Sequence, residues 1–320
     1  MMDFFSRKNI LITGANGYIG SSLTNKLKQS DCKLFLLSRK GGKSMKNITW
    51  YKGDITEKGI WKKILQDIDL VFHFAAQTSS AIANSNPAKD AIHNFLPITE
   101  FIETCKNYGF RPDFIFSGTV TQVGLTKSIP VNEKFRDNPV TIYDIHKLAA
   151  EKYLQYYSSE FNGRTTILRL PNIYGPGQAS SRADRGIVNL MIKKALLGDS
   201  LTVFGSGKYI RDYLYIDDVV SAFLTAAKKI KKINGNYYIL GTGKGHSILQ
   251  MVNLIKKEVE KRINKKIKIV FREFLPGTSR IELRNFIADP SSFKRDSGWK
   301  SAIMLQEGIK KTVEYFANLK

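Results

Sequence analysis

The sequence predicts an α/β fold, a doubly wound parallel sheet with a smaller, interleaved C-terminal lobe. Three observations carry that prediction. Short β-rich runs alternate with helical stretches through the first half, a glycine-rich turn follows the first run directly, and the alternation breaks after "NIYGPG".

The runs in order are "NILIT", "KLFLLS", "NITWY", "DLVFHFA" and "DFIFS", each followed by a longer amphipathic or polar segment. Such alternation builds a parallel sheet with helices on both faces. A helix is predicted over residues 141–161, and a sixth run, "TTILRL", follows it. Beyond that point "LTVFG", "YYILG" and "IKIVF" are short and lie between helices. The chain therefore divides near residue 170 into a sheet domain, 1–170, and a lobe, 171–320, from which some segments return to the sheet.

Composition bounds the function. A chain of 320 residues with 42% hydrophobic side chains can bury a substantial core. No apolar run approaches the roughly 20 residues of a membrane-spanning helix. "MMDFFSRKN" passes straight into "ILITG" without a signal-like segment, so a cytoplasmic location and no membrane partner are expected. Cys32 and Cys105 are far apart and the four histidines lack ligand spacing, so neither a disulfide nor a metal is expected. The formal charge of +22 raises nucleic acid as a partner. In "KKIKKIN" and "KKEVEKRINKKIK", however, apolar residues interrupt the lysines at helix or strand spacing, the pattern of a solvated outer face. No nucleic-acid motif accompanies them, and none is expected as a partner. The positive field would still help collect a small anionic substrate.

"ILITGANGYIGSSL" sets Gly14, Gly17 and Gly20 after the first strand and at the start of a helix. Glycines there allow a tight turn, close backbone approach to a pyrophosphate and close packing of helix on strand. The helix N-terminus adds free N–H groups and a positive dipole. This is a Rossmann-like arrangement for a dinucleotide, and Asn16, Tyr18 and Ile19 in the same turn are candidate cofactor contacts. The spacing is GxxGxxG rather than GxGxxG, so a purely structural turn is the alternative. The second strand ends in Ser38, Arg39 and Lys40, where an acidic residue would ordinarily bind the ribose of NAD. A hydroxyl and a guanidinium suit a 2′-phosphate, so the cofactor is read as NADP or NAD with a lean to NADP. The alternative for Arg39 is one more basic surface residue.

In "YDIHK", Tyr143 and Lys147 are four residues apart on the predicted helix and share a face. A nearby ammonium stabilises phenolate, so Tyr143 can exchange a proton with a substrate oxygen near working pH. With the glycine turn, this pair resembles the short-chain dehydrogenase/reductase superfamily. More narrowly, the chain resembles its extended branch, the NAD-dependent epimerase/dehydratase family that modifies nucleotide sugars. "TGANGYIG", "GDIT", "FHFAAQ", "YDIHK", "LRLPNIYGPG", "RDYLYIDDVV" and Gly298-Trp299 occur in family order across nearly the whole chain.

The resemblance implies roles residue by residue. In "IFSGTVTQVG", Thr119 would hydrogen-bond the reacting sugar oxygen beside Tyr143, while Lys147 would tune Tyr143 and bind the nicotinamide ribose. A threonine that merely caps a strand end is the alternative. Relatives that remove water carry an Asp-Glu pair directly after this threonine. Val120 and Thr121 stand here, which argues against a 4,6-dehydratase. Val123 replaces a common tyrosine. Asp54 and Ile55 would flank the adenine, and Ala75, Ala76, Gln77, Asn94 and Pro171 would line the cofactor cleft. Pro97 stands where the family pattern around Asn94 has glycine. His73 reads as a packed strand histidine. Asn172, Asn189, Arg211 and Arg284 would grip a nucleotide-sugar diphosphate, with an Arg211 salt bridge to Asp217 or Asp218 as the rival reading. Helices over 87–108 and 141–161 would pair two copies into a homodimer. The expected activity is hydride transfer at carbon 4 of the hexose, as a 4-epimerase or a 4-ketoreductase. A non-catalytic cofactor-sensing or nucleic-acid-binding protein is the alternative of another class.

Overall fold

A computed structural model describes residues 3–177 and 186–319. Its first half contains β1 (Asn9–Thr13), α1 (Tyr18–Leu27), β2 (Lys33–Ser38), β3 (Ile48–Lys52), α2 (Ile60–Ile64), β4 (Leu70–His73), α3 (Ser80–Ser85), α4 (Pro87–Asn94), α5 (Leu96–Tyr108), β5 (Asp113–Thr119), α6 (Ile142–Glu160) and β6 (Thr165–Leu170). The second half contains β7 (Asn172–Tyr174), α7 (Ile187–Leu196), β8 (Leu201–Phe204), β9 (Ile210–Arg211), β10 (Tyr213–Tyr215), α8 (Ile216–Ile233), β11 (Tyr237–Ile239), β12 (His246–Ser247), α9 (Ile248–Ile263), β13 (Ile269–Arg272), α10 (Ser291–Ser297) and α11 (Leu305–Ala317).

Seven strands form one parallel sheet in the order β11-β6-β5-β4-β1-β2-β3. Strands covered on both faces need continuous apolar runs, and β4 and β6 are buried along their whole length. Side-chain alternation sends Ile10 and Ile12 to one face, where Leu23 of α1 and Phe223 and Ile230 of α8 cover them. Leu11, Phe114 and Phe116 go to the other, against Trp61, Phe101 and Leu154. The strand order reverses between β1 and β4, which opens a crevice at the carboxyl ends of the strands.

The remaining elements form the smaller lobe, with two-stranded pairings β7–β10, β9–β12 and β8–β13. α7, α9 and α11 close their own core through Ile192, Ile255, Ile309 and Phe316. "YYILG" does not stay in this lobe: β11 extends the main sheet beyond β6, and α8 lies on the sheet face. The helix expected over 87–108 is two helices that meet at Phe95. Pro97 has no N–H and fits only the first turn of a helix, so a new helix starts just before it. In the run 228–234, Lys229, Lys231 and Lys232 are exposed and Lys228 is half-buried, while Ile230 and Ile233 are buried. No helix among the described residues is long and apolar enough to cross a membrane.

One buried cation joins the elements around the crevice. Arg169 of β6 is fully buried and donates to Asp137 (2.6 and 2.9 Å) and to Glu151 of α6 (2.6 and 2.9 Å), with its guanidinium 3.9 Å from the ring centre of Tyr237 on β11. Glu151 also accepts from Gln122 Nε2 (2.9 Å), and Gln122 Oε1 accepts the backbone N–H of Thr119 (3.0 Å). Removing one member of such a network strands the others as buried charges. Arg169→Met should therefore lower the unfolding free energy by about 3–5 kcal/mol, read from urea denaturation.

Candidate functional site

The glycine turn ends β1 and begins α1. Gly14 has φ +66°, and a Cβ there would lie 2.8 Å from the backbone of Phe74 and Ala75, so the turn sits directly against the chain leaving β4. At Gly20 a Cβ would collide with Gly14 O, which keeps α1 tight on the turn. Gly17 is the exposed N-cap and offers no side-chain acceptor to the first N–H groups of α1, those of Tyr18, Ile19 and Gly20. The turn thus presents unpartnered donors and a helix dipole in a space that a side chain would fill. That fits a dinucleotide pyrophosphate. Ile19 packs between both cores, and Tyr18 reaches across to the second lobe, donating its hydroxyl to Gly175 O (2.8 Å).

Asn16 ties the turn to the end of β2 through Ser38 Oγ (2.9 Å) and Gly41 O (3.0 Å). Ser38 Oγ also accepts from Gly41 N (3.1 Å), and Arg39 beside it is exposed. Asp54 shapes its own loop by accepting from Thr56 N and Oγ1 (3.1 and 3.0 Å), and Ile55 next to it is buried.

At the end of β4, Thr13 Oγ1 accepts the N–H groups of Phe74 and Ala75 (both 3.2 Å) and lies 3.0 Å from His73 Nδ1. Its single proton must point at that nitrogen, which makes Nδ1 an acceptor. Burial pushes the His73 pKa down to about 3, so the ring stays neutral between Phe114 and Phe116, as a packed strand histidine should. Ala76 follows in the same half-buried exit. Asn94 pins it by bonding both the N–H and the C=O of Gln77 (3.1 and 2.8 Å). Asp90 holds the Asn94 and Gln77 side chains (2.8 and 2.7 Å) and accepts from His146 on α6 (2.8 Å).

Thr119 is the last residue of β5 and the N-cap of a 3-10 turn, Val120–Val123, closed by Gln122 as a reciprocal capping box. Its hydroxyl lies 2.7 Å from that of Thr121. Thr121 Oγ1 bonds in turn to Asp144, whose other oxygen accepts from Thr141 Oγ1 (2.7 Å) at the N-cap of α6. Tyr143, half-buried, and Lys147, buried, lie one turn apart on α6. The Lys147 ammonium stands 3.8 Å from the ring centre of Phe116.

Arg211 makes no ion pair with Asp217 or Asp218. Its guanidinium donates to the carbonyls of Ile210 (3.0 Å), Glu282 (2.7 Å) and Arg284, and so holds the segment that carries Arg284. Asp218 instead accepts the N–H groups of Ala302 and Ile303 (3.0 and 2.9 Å). Arg284 reaches Asn172 Oδ1 (3.4 Å) across β7, and its buried Nε has no hydrogen-bond partner. Burial lowers the pKa of both arginines, that of Arg211 to about 10, and Arg284 adds to the effect on Arg211. Asn189 is buried on α7 and its amide bonds both the N–H and the C=O of Gly175 (3.2 and 2.8 Å). Pro171 is buried between β6 and β7.

The model of the NAD dependent epimerase/dehydratase family matches residues 10–241. The chain belongs to this family. Within the NAD-dependent epimerase/dehydratase family, UDP-glucose 4-epimerase of Mycolicibacterium smegmatis is 28% identical over 318 residues, covering 96% of this chain and 98% of that protein. A dTDP-D-glucose 4,6-dehydratase of Dictyostelium discoideum is 34% identical over 267 residues, 75% of this chain and 59% of the relative. Among solved structures, UDP-glucose 4-epimerase of Thermotoga maritima with UDP-glucose superimposes with a TM-score of 0.87 at 32% identity, covering 97% of this chain and 99% of that one.

The fold thus gathers Thr119, Tyr143 and Lys147 around the ends of β5 and α6, with the glycine turn and the β4 exit alongside. Arg211, Arg284 and Asn172 gather in the second lobe, whereas Asn189 is turned to Gly175. Sequence reasoning missed Asp144, Asp90 and Thr13. For Asp144 a signal existed: "TIYD" has the spacing of an N-capping threonine and an acidic third helical residue.

Lys147 gives this site a pH signature. Burial pushes its pKa from 10.5 down to about 7, against the opposing charges of Asp90 and Glu151. Between those two values the unfolded chain binds a proton that the folded chain has released, so stability rises with pH across the interval. Lys147→Met should be more stable than the wild type at and below about pH 7, and that advantage should shrink as the pH approaches 10.5. Urea midpoints of the nucleotide-free proteins measure it.

Proposed function

We propose that the protein is an NAD(P)-dependent 4-epimerase of a uridine-diphosphate hexose. The observation that carries this reading is the meeting of a hydroxyl-bearing strand end, Thr119, with the Tyr143/Lys147 pair on the neighbouring helix, beside a glycine turn suited to a pyrophosphate. The relatives' activities support it, since UDP-glucose 4-epimerases resemble the chain over nearly its whole length.

In this reading Gly14, Asn16, Gly17, Tyr18, Ile19 and Gly20 hold the cofactor pyrophosphate. Ser38 and Arg39 lie beside the adenosine ribose, with Asp54 and Ile55 near the adenine. Ala75, Ala76, Gln77, Asn94 and Pro171 line the nicotinamide side. When bound, the nicotinamide supplies hydride uptake and return. Tyr143 takes the proton of the sugar 4-hydroxyl and gives it back after the 4-keto sugar has turned its other face. Lys147 favours the phenolate and contacts the nicotinamide ribose. Thr119 orients the reacting oxygen. Asn172 and Arg284 grip the sugar diphosphate, Arg284 with its unpartnered Nε, while Arg211 holds the Arg284 segment in place. Asn189 contributes by shaping the Gly175 turn.

A second reading, an NADPH-dependent 4-ketoreductase, is favoured by exposed Arg39 in the position of a ribose-binding acid. Dehydration is not proposed, because Val120 and Thr121 offer no carboxylate directly after Thr119. A sensor would have no need of the Thr119, Tyr143 and Lys147 set. Nucleotide released by denaturing the purified protein separates the first two readings: retained NAD supports the epimerase, and an empty protein that prefers NADPH to NADH supports the reductase. Tyr143→Phe should lower kcat for UDP-glucose/UDP-galactose interconversion by about 10²- to 10⁴-fold with an intact fold, and unchanged turnover would refute the assignment.

We also propose a homodimer through α4, α5 and α6. These helices expose Ile92, Leu96, Ile145, Tyr153 and Tyr156, an apolar set on one group of packed helices. Tyr153→Glu should shift the mass measured by light scattering from dimer to monomer, whereas a wild-type monomer would rule the pairing out.

A further inference from the structure

The hydroxyl chain behind Thr119 carries an inference that rests on the proposed role of Thr119 as the partner of the reacting oxygen. We propose that Asp144 is a positioning residue that must carry a proton for Thr119 to donate to the sugar oxygen, the two being linked through Thr121.

The argument is an inventory of protons. A carboxylate only accepts, and a hydroxyl has one proton. With Asp144 ionised, the single proton of Thr121 points at Asp144 Oδ1, and that of Thr141 points at Oδ2. Thr121 Oγ1 can then meet Thr119 Oγ1, 2.7 Å away, only as an acceptor, so the Thr119 proton is turned inward. The backbone N–H of Thr121 takes one Thr119 lone pair (3.3 Å), and nothing is left to donate outward. The reacting oxygen keeps lone pairs both as alcohol and as ketone, and Tyr143 handles its proton, so it calls for a donor from Thr119 throughout. A proton on Asp144 reverses the chain: Asp144 donates to Thr121, Thr121 to Thr119, and Thr119 to the sugar oxygen. Every proton stays accounted for, since each hydroxyl gives one, and Thr119 Oγ1 receives the Thr121 hydroxyl and the Thr121 backbone N–H on its two lone pairs.

The surroundings suit a neutral acid. Asp144 is buried, and burial raises its pKa. The Thr121 and Thr141 hydrogen bonds and the charge of Arg284 oppose that rise, while Asp90 on α4, itself bonded to His146 of α6, adds to it. Tyr143 and Lys147 flank Asp144 on its own helix.

Asp144→Asn and Thr121→Val test the proposal. Asparagine can donate permanently to Thr121 while its oxygen accepts from Thr141, and valine releases the Thr119 hydroxyl from the chain; both leave Thr119 a donor at any pH. Wild-type kcat should fall about tenfold per pH unit on an alkaline limb, and both variants should lose that limb while keeping neutral-pH turnover within a few-fold. Infrared difference spectra, wild type minus Asp144→Asn, should contain a protonated-carboxyl C=O band that disappears over the same pH range. Absence of this band at every pH where the enzyme turns over would overturn the proposal, as would an alkaline limb shared by all three proteins. A role confined to capping α6 would lower the melting temperature of Asp144→Asn without altering the pH profile. Tyr143→Phe is the independent control: if it keeps full turnover, the underlying reading of the site fails, whereas its loss beside unaltered Asp144→Asn and Thr121→Val profiles sinks this inference alone.

Discussion

The buried guanidinium of Arg169 is the constraint on which the rest of the site depends. Burying a cation is tolerable only when every donor meets an acceptor and opposite charge is close. Asp137, Glu151 and the Tyr237 ring meet that condition from the segment before α6, from α6 itself and from β11. The elements are therefore located by a requirement of charge, whereas apolar packing alone tolerates small slips. Gln122 passes the constraint onward, because its amide joins Glu151 to the backbone of Thr119. The end of β5 and the first turns of α6 are in this way fixed relative to one another by buried polar contacts.

The crevice side is built on a different rule. Behind Thr119 stand neutral hydroxyls, and two ionisable groups near them are buried: Lys147 over an aromatic ring, its pKa lowered by burial, and Asp144 under two threonines, its pKa raised by burial. Across the crevice, Arg211 is occupied with backbone carbonyls while Arg284 keeps a buried nitrogen unpartnered. One arginine thus acts as scaffold, while the other keeps a donor in reserve.

The sheet was legible in the sequence because its central strands are buried on both faces and read as unbroken apolar runs between helices. The glycine turn was legible because turn chemistry is local. The break at Phe95 depends on Pro97, a departure from the family pattern that flags this helix's geometry without giving the place of the break. The sites of Asn189, Arg211 and Asp144 depend on residues distant in sequence: Gly175, the 282–284 segment and Thr121 are not predictable partners from spacing. Residue type indicated which groups can bind an anion or move a proton. Only the fold decides which of them are already occupied.

The return of β11 and α8 to the main sheet bears on the order of assembly. When a chain emerges from the ribosome N-terminus first, elements fold as their partners become available. By the time β6 has been made, the outer edge of that strand still lacks β11, and the face carrying Ile10, Ile12 and Phe72 still lacks α8. Asp137, Glu151 and Arg169 have by then all been made, but the ring of Tyr237 that covers the guanidinium has not. The first half therefore waits, with an open edge and an uncovered face, until synthesis has passed Ile239. The sheet is completed by the lobe that follows it.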